Sequence, residues 1–309
     1  GIGMLAGLVV FVLGKKALNG AGEAPAPISK SKEFTLYGIG FAAVAVIWAL
    51  VQYQDVIQTL LIISGVSLLG YVLYESFKLE KEPRERMFAI LFLIALNPLF
   101  WGLFEQAGGS MSLFTDRFVD RAGVPASLFQ SINPIIIIIM APVFAGLWIW
   151  LGKRGKDPSA PAKFGLALAQ MGLANLVLVW GAEAFGIAAM TPVILVIAYY
   201  FFATTAELCL SPVGLSAMNR LAPSFMASLI MGAWFYMTAV GNFVAGKIGE
   251  ATGGHDGQMT KQGLLDIYEL FGFISIGVAV VVLLLSPIVK RWMHLDTLQD
   301  AEPTSDKAA

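Results

Sequence analysis

Long apolar stretches separated by short polar breaks recur along this chain. Eight are long enough to cross a bilayer as helices: 34–52, 56–78, 87–109, 129–151, 164–186, 190–212, 226–249 and 267–289. A spanning helix needs about 20 mostly apolar residues, which each stretch supplies or approaches. The first two form an expected helical hairpin, 34–78, joined by the polar link Gln52-Tyr53-Gln54-Asp55. A shorter run, GIGMLAGLVVFVLGKK, opens the chain. Its roughly 13 apolar residues fall short of a span, and Lys15 and Lys16 follow the apolar part, whereas a signal peptide has its positive charge first. Residues 1–18 therefore read as the end of a transmembrane helix, and the chain as the second half of a longer protein. Between them and the hairpin, 19–33 (NGAGEAPAPISKSKE) is rich in Gly, Ala and Pro and reads as a flexible linker. The polar end, 293–309, reads as a tail.

Composition agrees with the pattern. Apolar residues make up 57% and charged residues 13%, against about 25% charged in soluble domains, and mean hydropathy is +0.75. A net charge of −1 argues against a nucleic-acid partner. Cys209 is the single cysteine, so no internal disulfide is expected, and it reads as a small packing residue. His255 and His294 fall in polar flanks, and no residues have metal-ligand, phosphate-loop or nucleophile–base spacing. No enzyme activity, metal or organic cofactor is expected. Basic residues cluster at 78–86, 153–156, Arg220 and 290–291, which are alternate inter-helix connections. The positive-inside rule places these in the cytoplasm, with 110–128, 185–190 and 250–266 outside and the C-terminus cytoplasmic. Arg117 and Arg121 lie in an outer loop, each with an Asp shortly before it.

Two carboxylates break the apolar pattern, Glu105 and Glu207. An ionisable side chain inside a membrane is costly and marks a protein interior or a water-filled path. The competing reading is a protonated carboxyl in a structural hydrogen bond between helices. Asn97, Trp101 and Glu105 form one stripe at helical spacing, and Asp116 returns to that face if the helix continues. Tyr200, Thr204, Glu207 and Ser211 form a second stripe. Pro98, Pro134, Pro142 and Pro212 lie inside apolar segments, where proline removes a backbone hydrogen bond and bends the helix.

Four segments carry a family resemblance: FWGLFEQAGGSMSLFTDR at 100–117, FQSINP at 129–134, ELCLSPVGLSAMNRLAP at 207–223 and MGAWFYMTAVGNFVAG at 231–246. They resemble, in order, helices seven, eight, ten and eleven of the proton-dependent oligopeptide transporter family, part of the major facilitator superfamily. GMLAGLVVFVLGKKAL resembles the end of helix six, and 34–78 the extra helix pair that bacterial members insert between their two halves. The resemblance implies an all-α integral membrane fold in which 87–292 is the C-terminal six-helix bundle, helices seven to twelve.

It also implies roles. Glu105 matches the proton-coupling carboxylate, Trp101 a cavity aromatic, and Phe104 a position where some relatives carry a second acid. Asn133 matches an amide that bonds the peptide backbone. Glu207 resembles the acid that receives the substrate amino terminus, with Ser211 lining the same pocket and Trp234 near the substrate side chains. Asp116 resembles an outer-gate acid that pairs with an arginine of the first half. The first half would also carry an ExxER-type motif and a lysine, neither of which is present here. The implied function is import of di- and tripeptides with protons, by alternating access, across a bacterial inner membrane. Protons are then the coupling ion, and the bilayer and the missing N-terminal six-helix half are partners. Two alternatives stay open: the same fold with nitrate or a peptide-like compound as cargo, and a non-transporting half that needs a partner chain.

Overall fold

The computed structural model describes residues 2–19, 28–253 and 259–297. Most of the expected linker and tail lies outside these residues, as does His255. The chain divides into two compact units, 1–60 and 61–309.

The first unit holds α1 (Ile2–Gly14), followed by a 3-10 turn at Lys15–Leu18, and α2 (Lys30–Val51). Ser29 caps α2 by accepting from the Lys32 backbone N–H, as a residue just before a helix does to satisfy an orphan donor. Neither helix buries a single residue. Apolar on every face and unburied, both have surfaces suited to lipid rather than water.

α3 (Gln54–Phe77) starts in the first unit and continues into the second. The second unit then runs α4 (Lys81–Phe104), α5 (Ser110–Phe118), α6 (Ile132–Gly152), α7 (Ala160–Phe185), α8 (Val193–Leu221), α9 (Ala227–Thr252) and α10 (Lys261–Trp292). Eight helices among the described residues are long and apolar enough to cross a membrane. They fall on the eight expected segments, with longer ends: α4 begins in the basic stretch at Lys81, α8 continues through Pro212 to Leu221, and α10 starts at Lys261. Hydropathy locates only the part that sits among hydrocarbon tails, and helices continue into their polar ends.

Two expectations about helix continuity change. Pro134 is the third residue of α6, a first-turn position whose N–H has no intrahelical partner to lose. It removes no helical hydrogen bond there, whereas Pro98, Pro142 and Pro212 lie in helix interiors. The helix carrying Glu105 also does not run unbroken to Asp116. It tightens into a 3-10 turn at Glu105–Ala107, and α5 starts afresh after Gly108 and Gly109.

α7 is the centre of the bundle, packed along both α8 and α10, while α4 packs along α9. The α7–α10 approach depends on glycine. A Cβ on Gly172 would lie 2.7 Å from the Gly272 carbonyl oxygen, so small residues set how closely these backbones meet. Ser275 Oγ seals the contact by donating to Leu168 O at 2.7 Å. On α9, Tyr236 Oη donates to Leu61 O at 2.6 Å and pairs with Ser64 Oγ at 2.7 Å, tying it to the second-unit part of α3. At one end of the bundle a two-residue parallel pair joins β1 (Val119–Asp120) to β2 (Thr191–Pro192).

At that same end Lys261, buried at the start of α10, donates from Nζ to Gly186 O at 3.1 Å and Ala189 O at 2.8 Å. One ammonium thus satisfies two carbonyls of the α7–β2 loop. Gly186 O also accepts from the Ala189 N–H at 3.2 Å, so Lys261→Met should keep the packing of the stem and leave Ala189 O without its donor, at about 1–3 kcal/mol. The check is thermal unfolding of the purified protein in detergent. An unchanged midpoint would show that water satisfies the loop as well.

Candidate functional site

The members of the stripe expected on α4 have different surroundings. Asn97 is fully buried, and its Nδ2 donates to Trp234 O and Thr238 Oγ1 on α9, both at 3.0 Å. One turn later Trp101 is half-buried, its ring set edge-on against Phe100 and Phe104. Glu105 follows at the 3-10 turn and is exposed.

The turn is held by a polar knot that sequence reasoning did not single out. Gln106 Nε2 donates to Gly102 O at 2.8 Å and to Ala245 O on α9 at 3.1 Å. Ser110 Oγ donates to Gln106 Oε1 at 2.6 Å and shares a 2.7 Å hydrogen bond with Tyr268 Oη. All three side chains are buried. The signal was the glutamine beside Glu105 and the Gly-Gly-Ser that follows it. Where two glycines loosen a helix, a nearby amide becomes the natural means of satisfying the freed backbone.

Beside this turn lies a cavity of about 190 Å³, lined by Phe104, Glu105, Gly108, Gln130, Asn133 and Tyr200 among others. Its far wall comes from α6 and α8. The first turn of α6 presents Asn133, whose Nδ2 donates to Thr204 Oγ1 and Glu207 Oε2, each at 3.1 Å. Tyr200 Oη donates to Ala107 O at 3.4 Å, which links α8 to the turn. Three of the four positions of the α8 stripe therefore meet the cavity or the amide beside it. Ser211, one turn beyond Glu207, is half-buried and is not among the cavity-lining residues.

Two expected site residues stand elsewhere. Trp234 is 2% exposed and packs edge-on against Phe164, with ring centroids 6.1 Å apart. A Cβ on Gly214 would run into its ring. Its indole fills the core of the bundle and does not line the cavity. Asp116 sits on α5 and pairs with Arg121 at 2.9 Å, while the same guanidinium donates to Asp116 O at 2.8 Å. The neighbour in sequence, Arg117, is not its partner. The break at Gly108–Gly109 also removes the premise that placed Asp116 on the Glu105 face.

Chemically, the cavity offers a carboxylate, two amides and a phenol, with a second carboxylate held behind Asn133. No cation is among its described lining residues. It suits an ammonium group and hydrogen-bonding donors.

A family model described as PTR2, the POT family, matches residues 1–264. The chain belongs to the POT family. Among its POT relatives, the uncharacterized transporter YclF of Bacillus subtilis (strain 168) is 33% identical over 306 residues, covering 94% of this chain and 60% of YclF. The peptide transporter YePEPT of Yersinia enterocolitica subsp. palearctica is 37% identical over 247 residues, covering 75% of this chain and 46% of YePEPT. A solved peptide transporter POT in complex with sulfate matches with a TM-score of 0.76 at 30% identity, over 94% of this chain and 61% of that one. A POT family transporter in complex with 5-aminolevulinic acid matches with a TM-score of 0.72 at 27% identity, over 93% and 61%. The chain spans about six tenths or less of the length of these relatives. An all-α, multi-pass membrane fold of the POT family is therefore what this sequence adopts.

Proposed function

We propose that this chain forms part of a proton-coupled symporter that imports di- and tripeptides across the cytoplasmic membrane of a bacterium. The observation that carries the reading is a pair of carboxylates on apolar helices at one site: Glu105 lines the cavity, and Glu207 is held just behind its Asn133 amide. A peptide zwitterion needs a negative site for its ammonium and a positive one for its carboxylate. Glu207 takes the ammonium, and Asn133 exchanges its bond to Glu207 for the peptide backbone. The positive site comes from the other six-helix half. Protonation of Glu105 from the acidic outside releases its cationic partner there, which is then free to bind the peptide carboxylate. The two halves rock around this site to alternate access. The end of the bundle with the basic connections, including the end of α10, faces the cytoplasm.

A cargo with the same headgroup is a second reading, since a POT relative was solved with 5-aminolevulinic acid, which also pairs an amine with a carboxylate. Nitrate fits poorly beside two carboxylates.

The test is uptake of a labelled dipeptide by full-length protein in proteoliposomes with acid outside, in competition with free and N-acetylated dipeptides. Losing a charge-assisted bond to Glu207 should weaken the acetylated competitor about ten- to a hundred-fold. Equal competition would remove Glu207 as the ammonium site. No uptake of any peptide, with 5-aminolevulinic acid transported, would leave the family and change the cargo.

A further inference from the structure

A larger cavity, about 470 Å³, lies at the opposite end of the second unit from the Lys261 loop. It is formed where α6 and α8 end, α7 begins and α10 ends. Three cations line it, Lys163, Arg220 and Lys290, against a single carboxylate, Asp157. Lys163 is buried and spoken for: its Nζ pairs with Asp157 at 2.9 Å and lies 4.3 Å from the centre of the Trp148 ring. The side chains of Arg220 and Lys290 have no hydrogen bond or ion pair among the described residues. Two unpaired cations converging on one cavity, beside a third already neutralised, leave a net positive site.

We propose that this cavity binds the headgroup phosphate of an anionic phospholipid. Arg220 and Lys290 would take the phosphate oxygens, and Trp148 and Met293 would receive the start of the acyl chains. The choice of a lipid over a soluble anion rests on the surroundings. The cavity sits at the end of the bundle that carries the basic stretches 78–86, 153–156 and 290–291. Two of the helices that form it also expose apolar side chains, Ile149 and Trp150 on α6 and Leu284 and Ile288 on α10. Basic pockets between membrane helices, at the level of the headgroups, suit anionic lipids. Nothing in the peptide site depends on this cavity, so the proposal stands or falls separately.

The experiment uses full-length protein in nanodiscs of mixed phosphatidylglycerol and phosphatidylcholine. Retained lipid is counted by native mass spectrometry after transfer to detergent. Wild type should retain phosphatidylglycerol about ten- to thirty-fold more than phosphatidylcholine, and Arg220→Gln/Lys290→Gln should lose that preference. Lys153→Gln/Lys156→Gln removes equal charge nearby, at positions that do not line the cavity, and should keep it. Equal retention of both lipids by wild type would overturn the proposal, whatever the variants do. So would equal loss in both double variants, which would show general attraction to a basic surface. Displacement of phosphatidylglycerol by millimolar inorganic phosphate would overturn the lipid in favour of a soluble anion.

Discussion

Glu105→Gln in the full-length protein is expected to exchange labelled dipeptide for unlabelled at close to the wild-type rate, yet never to accumulate it. One pH unit across the membrane is worth about 1.4 kcal/mol per proton, or about ten-fold accumulation for a one-proton coupling. Wild type should approach that ratio under an imposed gradient, while the variant should stop at equal concentrations. The reason lies in how differently the two carboxylates are held. Glu105 is exposed at the cavity wall, and its carboxylate has no hydrogen-bond or ion-pair partner among the described residues. It can therefore gain and lose a proton without dismantling anything in this unit. Glu207 is oriented by Asn133, which Thr204 also engages, as a fixed binding group would be. Glu207→Gln should accordingly fail in both assays, by about a hundred-fold, the size of effect seen when one partner of a desolvated charge pair is removed. Accumulation by Glu105→Gln at the wild-type ratio would move proton coupling to another residue. Full exchange by Glu207→Gln would leave the ammonium site unassigned.

How much of this was legible in the sequence depended on the range of the interaction. The membrane helices were legible because hydropathy is a local sum, and Glu105 and Glu207 stood out because a charge in an apolar run has no local explanation. The stripe through Tyr200, Thr204 and Glu207 followed from helical spacing alone. The contact of Asn133 with Glu207, 74 positions away, did not: α6 and α8 had first to be placed side by side, and only the family resemblance put both residues in one site. The break after Glu105 was missed because the run around it is as apolar as a continuous helix. What betrays it is Gln106, bonded to Gly102, Ala245 and Ser110, and amide partners cannot be read from a one-dimensional pattern. Asp116 went astray for the same reason. Its expected face assumed continuity through Gly108–Gly109, and its cation proved to be Arg121, beyond the end of α5.

Trp234 separates resemblance from structure most sharply, and Gly214 gives the means to test it. The resemblance puts this indole near the substrate. The structure puts it in the packed interior, in the space left by the missing side chain of Gly214 on α8 and against Phe164 on α7. Its backbone carbonyl meanwhile accepts from Asn97 on α4, so one residue of α9 engages three other helices. Gly214→Val would thrust a branched side chain into the ring. Overpacking a filled core costs about 1–3 kcal/mol or more. Trp234→Leu removes much of the ring and should cost about 3 kcal/mol through the cavity it leaves. If both act on the same space, the two changes are not additive: valine refills what leucine vacates. The double variant should be more stable than the summed single effects by more than about 1 kcal/mol, the signature of residues in direct contact. Thermal unfolding of the four proteins in detergent measures this cycle. Strict additivity would mean that the two positions do not touch. A saturating dipeptide that raised the midpoint of wild type but not of Trp234→Leu would return the indole to the substrate. With coupling present and ligand stabilisation unchanged, Trp234 is the wedge that fixes α9 against its neighbours and so holds the wall on which Glu105 is mounted.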